Sequence, residues 1–262
     1  MNNVNMTIID GNNWFRRKAE GDVLGTPVRT CFREINRMCE SGLVILVWDG
    51  FKALEPRRAL YPEYKMKRTS PGESFYESQK LFSQIAEFTS AIQIKVDGFE
   101  GDDVVAAVAN KYRKDCSIRI ESNDADLCQL GLPIARNSIP DEPHWIALMK
   151  TMVGDASDNI PGAKGFGKGA WEKLTSQQKD TLHQIVASGH QMTEEAIREK
   201  VQDFYPKSAL NWFVEVENRN QLLTYYKIVN FIPIPWDVIE KNMKPGVGKP
   251  ELADPILAEF ML

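Results

Sequence analysis

Histidine and cysteine are scarce in this chain. His144, His183 and His190 are scattered, and Cys31, Cys39, Cys116 and Cys128 form no C-x-x-C pair. A tetrahedral zinc site or a disulfide framework is therefore not expected, and a reducing cytoplasm fits. Long apolar runs are missing too: the longest, LVILVW at 43–48, is far too short to span a bilayer. The N-terminus MNNVNMTIID has neither a basic n-region nor an apolar h-region, so no signal peptide is expected. There is no internal repeat and no low-complexity tail. Positive charge is not in excess, since the formal net charge is −4, which at first argues against nucleic acid. The distribution is uneven, however. From Lys52 to Arg68 there are six basic residues (Lys52, Arg57, Arg58, Lys65, Lys67, Arg68) against Glu55 and Glu63. Such a run is either a solvated loop or a phosphate-facing one. Acids sequestered as metal ligands would leave the remaining surface less acidic than the total suggests.

What is present is a strand–helix alternation. With 262 residues, 43% hydrophobic and 26% charged, the chain suffices for one large domain or two modest ones. Short apolar runs at 4–9, 43–48, 91–96 and 116–121 read as strands, and helical spacing marks 27–40, 73–88 and 101–114. This alternation predicts an α/β fold, a mainly parallel central sheet flanked by helices. After residue 150 the strand signals largely stop and helical spacing takes over. The expected division is an α/β core over 1–152 and a helical region over 153–262.

Residues 153–170, VGDASDNIPGAKGFGKGA, are too poor in apolar side chains to contribute much core. Gly162, Gly167 and Lys168 match most of a phosphate-binding P-loop. Gly169 replaces its metal-holding hydroxyl, though, and the preceding DASDNIP is no buried strand. An EF-hand fails because Ile160 sits where its loop glycine is required.

The acids are more telling. Asp10 and Asp49 end the first two strands. Glu100, Asp102 and Asp103 follow the third, Asp124 and Asp126 follow the fourth, and Asp155 and Asp158 lie in a loop. Ligands of an open parallel sheet bind at the carboxyl ends of its strands. Any one of these acids can be a helix cap or turn former, as Asp102 and Asp103 at a helix start illustrate. Acids at such positions in five segments are harder to explain that way. Gathered in one pocket they would repel one another and protonate, and divalent cations are the usual resolution. Oxygen-only ligation favours Mg²⁺ or Mn²⁺ over zinc. Two such ions serve phosphodiester cleavage.

The elements IIDGNNWFRR, VWDG, RRALYPEYKMKR, GFEGDD, SNDADLCQL and VGDASDNIPGAKGFGKGA occur in the order of the flap endonuclease / 5′→3′ exonuclease family. The chain resembles that family over about residues 4–175, and its length is similar to the bacteriophage and bacterial members. The resemblance implies a PIN-like nuclease core with a helical arch at about 51–90. It also implies a DNA-binding helix–hairpin–helix element at about 155–175, and a structure-specific 5′ nuclease activity, exonuclease or flap endonuclease, in DNA replication or primer and flap removal. It makes Asp10, Asp49, Glu100, Asp102, Asp103, Asp124 and Asp126 metal-site acids, and gives Asp155 and Asp158 to a second ion. Lys65, Arg68 and Arg17 fall on catalytic basic positions. Tyr64 resembles an aromatic that stacks an unpaired base. Gly162, Lys164, Gly165, Gly167 and Lys168 match the hairpin that grips duplex phosphates through its backbone. The run Lys168–Gly169–Ala170 departs from the family, which usually carries Thr or Arg after the lysine.

The implied cofactors are two Mg²⁺ ions, with Mn²⁺ as substitute and K⁺ at the hairpin. The implied partner is DNA with 5′ ends, flaps or junctions, including RNA primer in a hybrid. No membrane is involved, and a monomer is the default. Two other readings remain open from sequence: a PIN-type ribonuclease, and a non-catalytic DNA-structure-binding homologue.

Overall fold

Each of the four apolar runs folds as a strand. A computed structural model describes residues 4–21, 27–135, 137–138, 142–203 and 207–259. Strands β1 (Val4–Asp10), β2 (Leu43–Trp48), β3 (Ile92–Lys95) and β4 (Cys116–Glu121) pair in parallel. A fifth strand, β5 (Met243–Pro245), runs antiparallel along β3 and completes the order β4-β1-β2-β3-β5. The expected mainly parallel sheet flanked by helices is what forms. β5 was not legible: three residues carry no periodicity, and its proline is tolerated only because the strand lies at an edge.

The first helices are α1 (Gly11–Gly21), α2 (Pro27–Ser41), α3 (Glu55–Leu60), α4 (Glu73–Ala86) and α5 (Gly101–Tyr112). They are followed by α6 (Ile146–Val153), α7 (Lys168–Trp171), α8 (Ser176–Ser188) and α9 (Glu194–Val201). Last come α10 (Lys207–Val214), α11 (Val216–Val229), α12 (Trp236–Lys241) and α13 (Asp254–Glu259).

Contacts divide the chain into two units. One comprises Met1–Ala53, Thr69–Pro140 and Ile232–Leu262, the other Leu54–Arg68 and Asp141–Phe231. The expected division, 1–152 and 153–262, has a single boundary, whereas the chain passes between these units four times. The first unit is the sheet with its helices. On one face Ile9, Val44, Leu46 and Trp48 meet Trp14 and Phe15 of α1, the stripe Val28, Cys31, Phe32 and Ile35 of α2, and Phe82 and Ile85 of α4. The α2 stripe has the spacing of one helical face. Phe82 stacks on Phe15 at 5.3 Å between ring centroids and meets Trp48 edge-on at 5.8 Å. Burying each such side chain stabilises the fold by about 1.5–3 kcal/mol. Alternation turns Ile45 and Val47 to the opposite face, which α5 covers, touching all four parallel strands.

The C-terminal segment returns to this unit through backbone pairing. The N–H groups of Gly246, Val247, Gly248 and Lys249 donate to the carbonyls of Ala91, Glu87, Thr89 and Phe88 at 2.7–3.0 Å. Any Cβ on Gly246 would lie 2.1 Å from the Thr89 carbonyl oxygen, so only glycine permits this approach.

The second unit is helical. Its core joins Leu148, Met152, Ile160, Phe166, Leu182, Ile185, Phe213, Leu222 and Tyr225. Residues 54–68, part of the segment expected to form an arch, contribute Tyr64 to this core, with Leu54 and Tyr61 packed against it. Arg57 is 4% exposed, and its guanidinium donates to the carbonyls of Ile228 (2.8 Å) and Asn230 (3.2 Å). The remainder of the expected arch, 73–86, is helix α4 on the sheet of the first unit.

Candidate functional site

Order in the sheet fixes where the first unit can bind. From β1 the chain adds β2 and β3 on one side, then returns to place β4 on the other. The crevice at such a reversal, beyond the carboxyl ends of the strands, is where open α/β sheets bind ligands. Asp10 ends β1 there and is 5% exposed. Its Oδ1 accepts the Asn13 N–H at 3.2 Å and its Oδ2 accepts the Ser122 hydroxyl at 2.9 Å. Burial, followed by the negative charges of Asp49 and Asp124, pushes the Asp10 carboxyl up to about 7, against the two hydrogen bonds. Asp49 lies just past β2, with Oδ1 held by the Gly101 N–H at 2.7 Å.

The remaining acids of this unit are also fixed locally. Glu100 (6% exposed) precedes α5, and Asp102 and Asp103 lie in its first turn, favourably placed for the helix dipole. Asp103 is 1% exposed and its Oδ1 accepts the Ile232 N–H at 2.8 Å, so one oxygen ties down the returning C-terminal segment. Asp124 caps the 3-10 turn Ala125–Leu130, its Oδ1 accepting the Asp126 N–H at 2.9 Å. Capping and metal ligation are thus not exclusive: each acid offers further oxygen lone pairs. Arg17 is half-buried on α1.

Asp155 and Asp158 belong to the second unit. The Asp155 Oδ1 accepts both the N–H (2.8 Å) and the hydroxyl (2.7 Å) of Ser157, and its Oδ2 lies 2.6 Å from the Lys150 ammonium. Burial raises this carboxyl, but Lys150 and Ser157 together outweigh it and hold it down at about 2. Asp158 is 3% exposed. Burial dominates and raises its carboxyl, opposed by the charges of Lys65, Lys150 and Arg68. Arg68 Nη2 is 2.9 Å from Asp158 Oδ1, and the Lys65 N–H donates to the Asp158 carbonyl at 3.2 Å. Lys65 is 8% exposed, and its ammonium lies 4.8 Å from the centre of the Tyr64 ring. Tyr64, expected at the surface to stack a base, is buried. It is 3% exposed and belongs to the core of the second unit.

The hairpin glycines divide into two kinds. Gly154 and Gly162 have φ of +91° and +76°, and a Cβ on Gly162 would lie 2.5 Å from the Gly154 nitrogen. They let α6 turn back on the Asp155–Ile160 bridge, so Gly162 is needed by the fold itself. Gly167, by contrast, has open space around its Cβ direction and a negative φ of −99°. Lys164, Gly165 and Lys168 are exposed around the same turn. Sequence reasoning missed Ser122, Asn13 and Lys150, the residues that hold the acids. The Asn-Asn pair after Asp10 was a usable signal; an isolated serine or lysine is not.

These observations define an α/β domain with buried and half-buried carboxylates rimming the carboxyl ends of a parallel sheet. Residues 5–134 match the family model for the 5′-3′ exonuclease N-terminal, resolvase-like domain, and over that range the chain belongs to this family. The thermostable DNA polymerase I of Thermus aquaticus is 30% identical over 185 residues, covering 64% of this chain. The chain spans about a fifth of that polymerase, 22% of its length. A 5′-3′ exonuclease of Mycoplasmopsis pulmonis is 29% identical over 169 residues, 56% of each chain. In fold, the chain is similar to a bacteriophage T5 5′-exonuclease variant (TM-score 0.56, 19% identity, 91% of this chain and 96% of that one). It is also similar to the catalytic core of Rad2 in complex with DNA (TM-score 0.52, 16% identity, 98% and 92%).

Proposed function

We propose that this protein is a metal-dependent 5′ nuclease that hydrolyses DNA phosphodiesters as a 5′→3′ exonuclease or 5′-flap endonuclease. The observation that carries the reading is the buried Asp10 carboxyl, raised to about 7 by burial and by Asp49 and Asp124. A fold that places like charges together around a buried acid is suited to a divalent cation, and the donor set is oxygen only, as Mg²⁺ or Mn²⁺ requires. The T5 relatives of the same fold include structures with divalent metal ions and one with DNA and metal ions. The alternatives of a PIN-type ribonuclease and of a non-catalytic binder gain no specific observation.

In this reading Glu100, Asp102 and Asp103 serve one ion, Asp10, Asp49, Asp124 and Asp126 complete the acidic site, partly through water, and Asp155 and Asp158 serve the second ion. When bound, such ions polarise the phosphoryl oxygens and lower the pKa of water. The chain's own part is orientation. Asn13 and Ser122 fix Asp10 and the Gly101 N–H fixes Asp49, so both carboxylates are aimed before any ion arrives. Arg17, Lys65 and Arg68 supply positive charge for the phosphate as negative charge develops on it. Lys164, Gly165, Gly167 and Lys168 hold the duplex, with K⁺ at the hairpin. RNA primer in a hybrid is a further substrate. The enzyme acts as a cytoplasmic monomer in DNA replication; no helix of the described residues is long and apolar enough to cross a membrane.

The test is cleavage of labelled 5′-flap DNA and single-stranded RNA in Mg²⁺ and in EDTA. DNA cleavage that EDTA abolishes and that Asp155→Asn abolishes without loss of duplex binding is expected. Cleavage persisting in EDTA would overturn the metal mechanism, and preference for RNA would restore the ribonuclease reading.

A further inference from the structure

Both oxygens of Asp155 are engaged before any metal binds. Both donors of Ser157 occupy Oδ1, and the Lys150 ammonium sits 2.6 Å from Oδ2. The Ser157 contacts close a two-residue turn and include a backbone N–H, so they cannot leave without unfolding the loop. Lys150 is different. Its ammonium is carried on a flexible four-carbon stem from the last turn of α6, with 15% of its side chain exposed. From these contacts we infer that Lys150 is a resident counter-ion which competes with the divalent cation for Asp155 and must swing away when that cation binds.

This rests on the proposed assignment of Asp155 as a metal ligand. A monovalent ammonium and a divalent ion repel each other at one carboxylate oxygen, so the two cannot share Oδ2. The displaced Lys150 is then available to a phosphate oxygen, a strong partner for an ammonium. Metal at Asp155 and phosphodiester substrate would therefore bind cooperatively, each strengthening the other by the same factor. The device keeps the second ion weakly held until DNA is present. Arg68 keeps the Asp158 carboxylate paired meanwhile, with the positive charge of Lys65 also acting on it. Lys150 is thus a positioning residue acting through Asp155.

Mn²⁺ binding by electron paramagnetic resonance, on the full chain without DNA, tests this. Lys150→Met, which keeps the length and removes the charge, should bind one Mn²⁺ equivalent roughly five- to fifty-fold more tightly, the usual range for coupled sites. Lys150→Arg should stay near wild type. A lysine that merely shaped the loop would give the opposite sign, since its loss would weaken Mn²⁺ binding; unchanged or weaker binding in a folded Lys150→Met overturns the inference. Lys150→Gln serves if the methionine variant melts early. Asp155→Asn separates the two levels of the argument. It should remove one Mn²⁺ equivalent, and if the full stoichiometry survives, the ligand assignment fails and this inference with it.

Discussion

The Ser122 hydroxyl donates to Asp10 Oδ2 at 2.9 Å, joining the loop after β4 to the last residue of β1. The same oxygen of Ser122 accepts the Asp124 N–H at 3.0 Å, so one fully buried serine orders two acids of the site. Ser122→Ala leaves one lone pair of Asp10 and one backbone N–H without their partner. Removing one buried partner costs about 1–3 kcal/mol. We expect a lower melting temperature, a higher Mg²⁺ concentration for half-maximal cleavage, and recovery of both in Ser122→Thr. A Mg²⁺ titration curve identical to wild type would show that Asp10 needs no such support.

Asp10 also sets a pH dependence. Its carboxyl titrates at about 7 in the folded chain against 3.8 ordinarily, so between those values the folded state binds more protons than the unfolded one. Stability from this group is present below about pH 4 and is lost as pH rises towards 7. The metal-stripped protein should therefore melt at a lower temperature at pH 7.5 than at pH 5.5. Asp10→Asn should flatten that slope, and excess Mg²⁺ should do the same to the wild type. A slope that Asp10→Asn leaves intact assigns the effect elsewhere.

The hairpin offers a contrast of two glycines. A side chain on Gly162 collides with the Gly154 backbone, whereas one on Gly167 meets nothing within 4 Å. Gly162→Val should fail to fold or melt many degrees lower. Gly167→Val should melt like wild type, yet bind duplex DNA more weakly and with a shallower dependence on salt as phosphate contacts are lost. Affinity measured in Ca²⁺ across a salt series decides it; an unaltered slope for Gly167→Val would place the duplex elsewhere.

Lys65 sits buried beside Asp158 with φ of +54°, a costly conformation for a non-glycine residue. If that position exists for charge, Lys65→Ala should slow single-turnover cleavage roughly ten- to thousand-fold, the range for losing one transition-state donor, with little change in Kd. Lys65→Arg should recover part of the rate. Weak binding with normal cleavage at saturation would reduce Lys65 to phosphate positioning.

The strands and most of the large helices were legible because local spacing encodes them: LVILVW and the stripe Val28, Cys31, Phe32, Ile35 can bury their apolar faces in few other ways. The acids were legible for a similar reason, since Asp10 and Asp49 stand directly at strand ends. The family resemblance rested on these same segments. Other features depended on partners far away in the chain. Tyr64 reads as an aromatic beside basic residues; only packing against residues from 145 onwards makes it core. The strand Met243–Pro245 exists because β3 has an open edge, and Gly246 lets the backbone reach it. Lys150 and Asp155 are five residues apart, a spacing that predicts nothing until α6 ends and the glycine turn brings ammonium to carboxylate. Sequence by itself determined the elements and the chemistry of their ends. Tertiary structure decided which charges are buried and which cation faces which acid, because burial and pairing are properties of the whole surroundings and not of a neighbour in the chain.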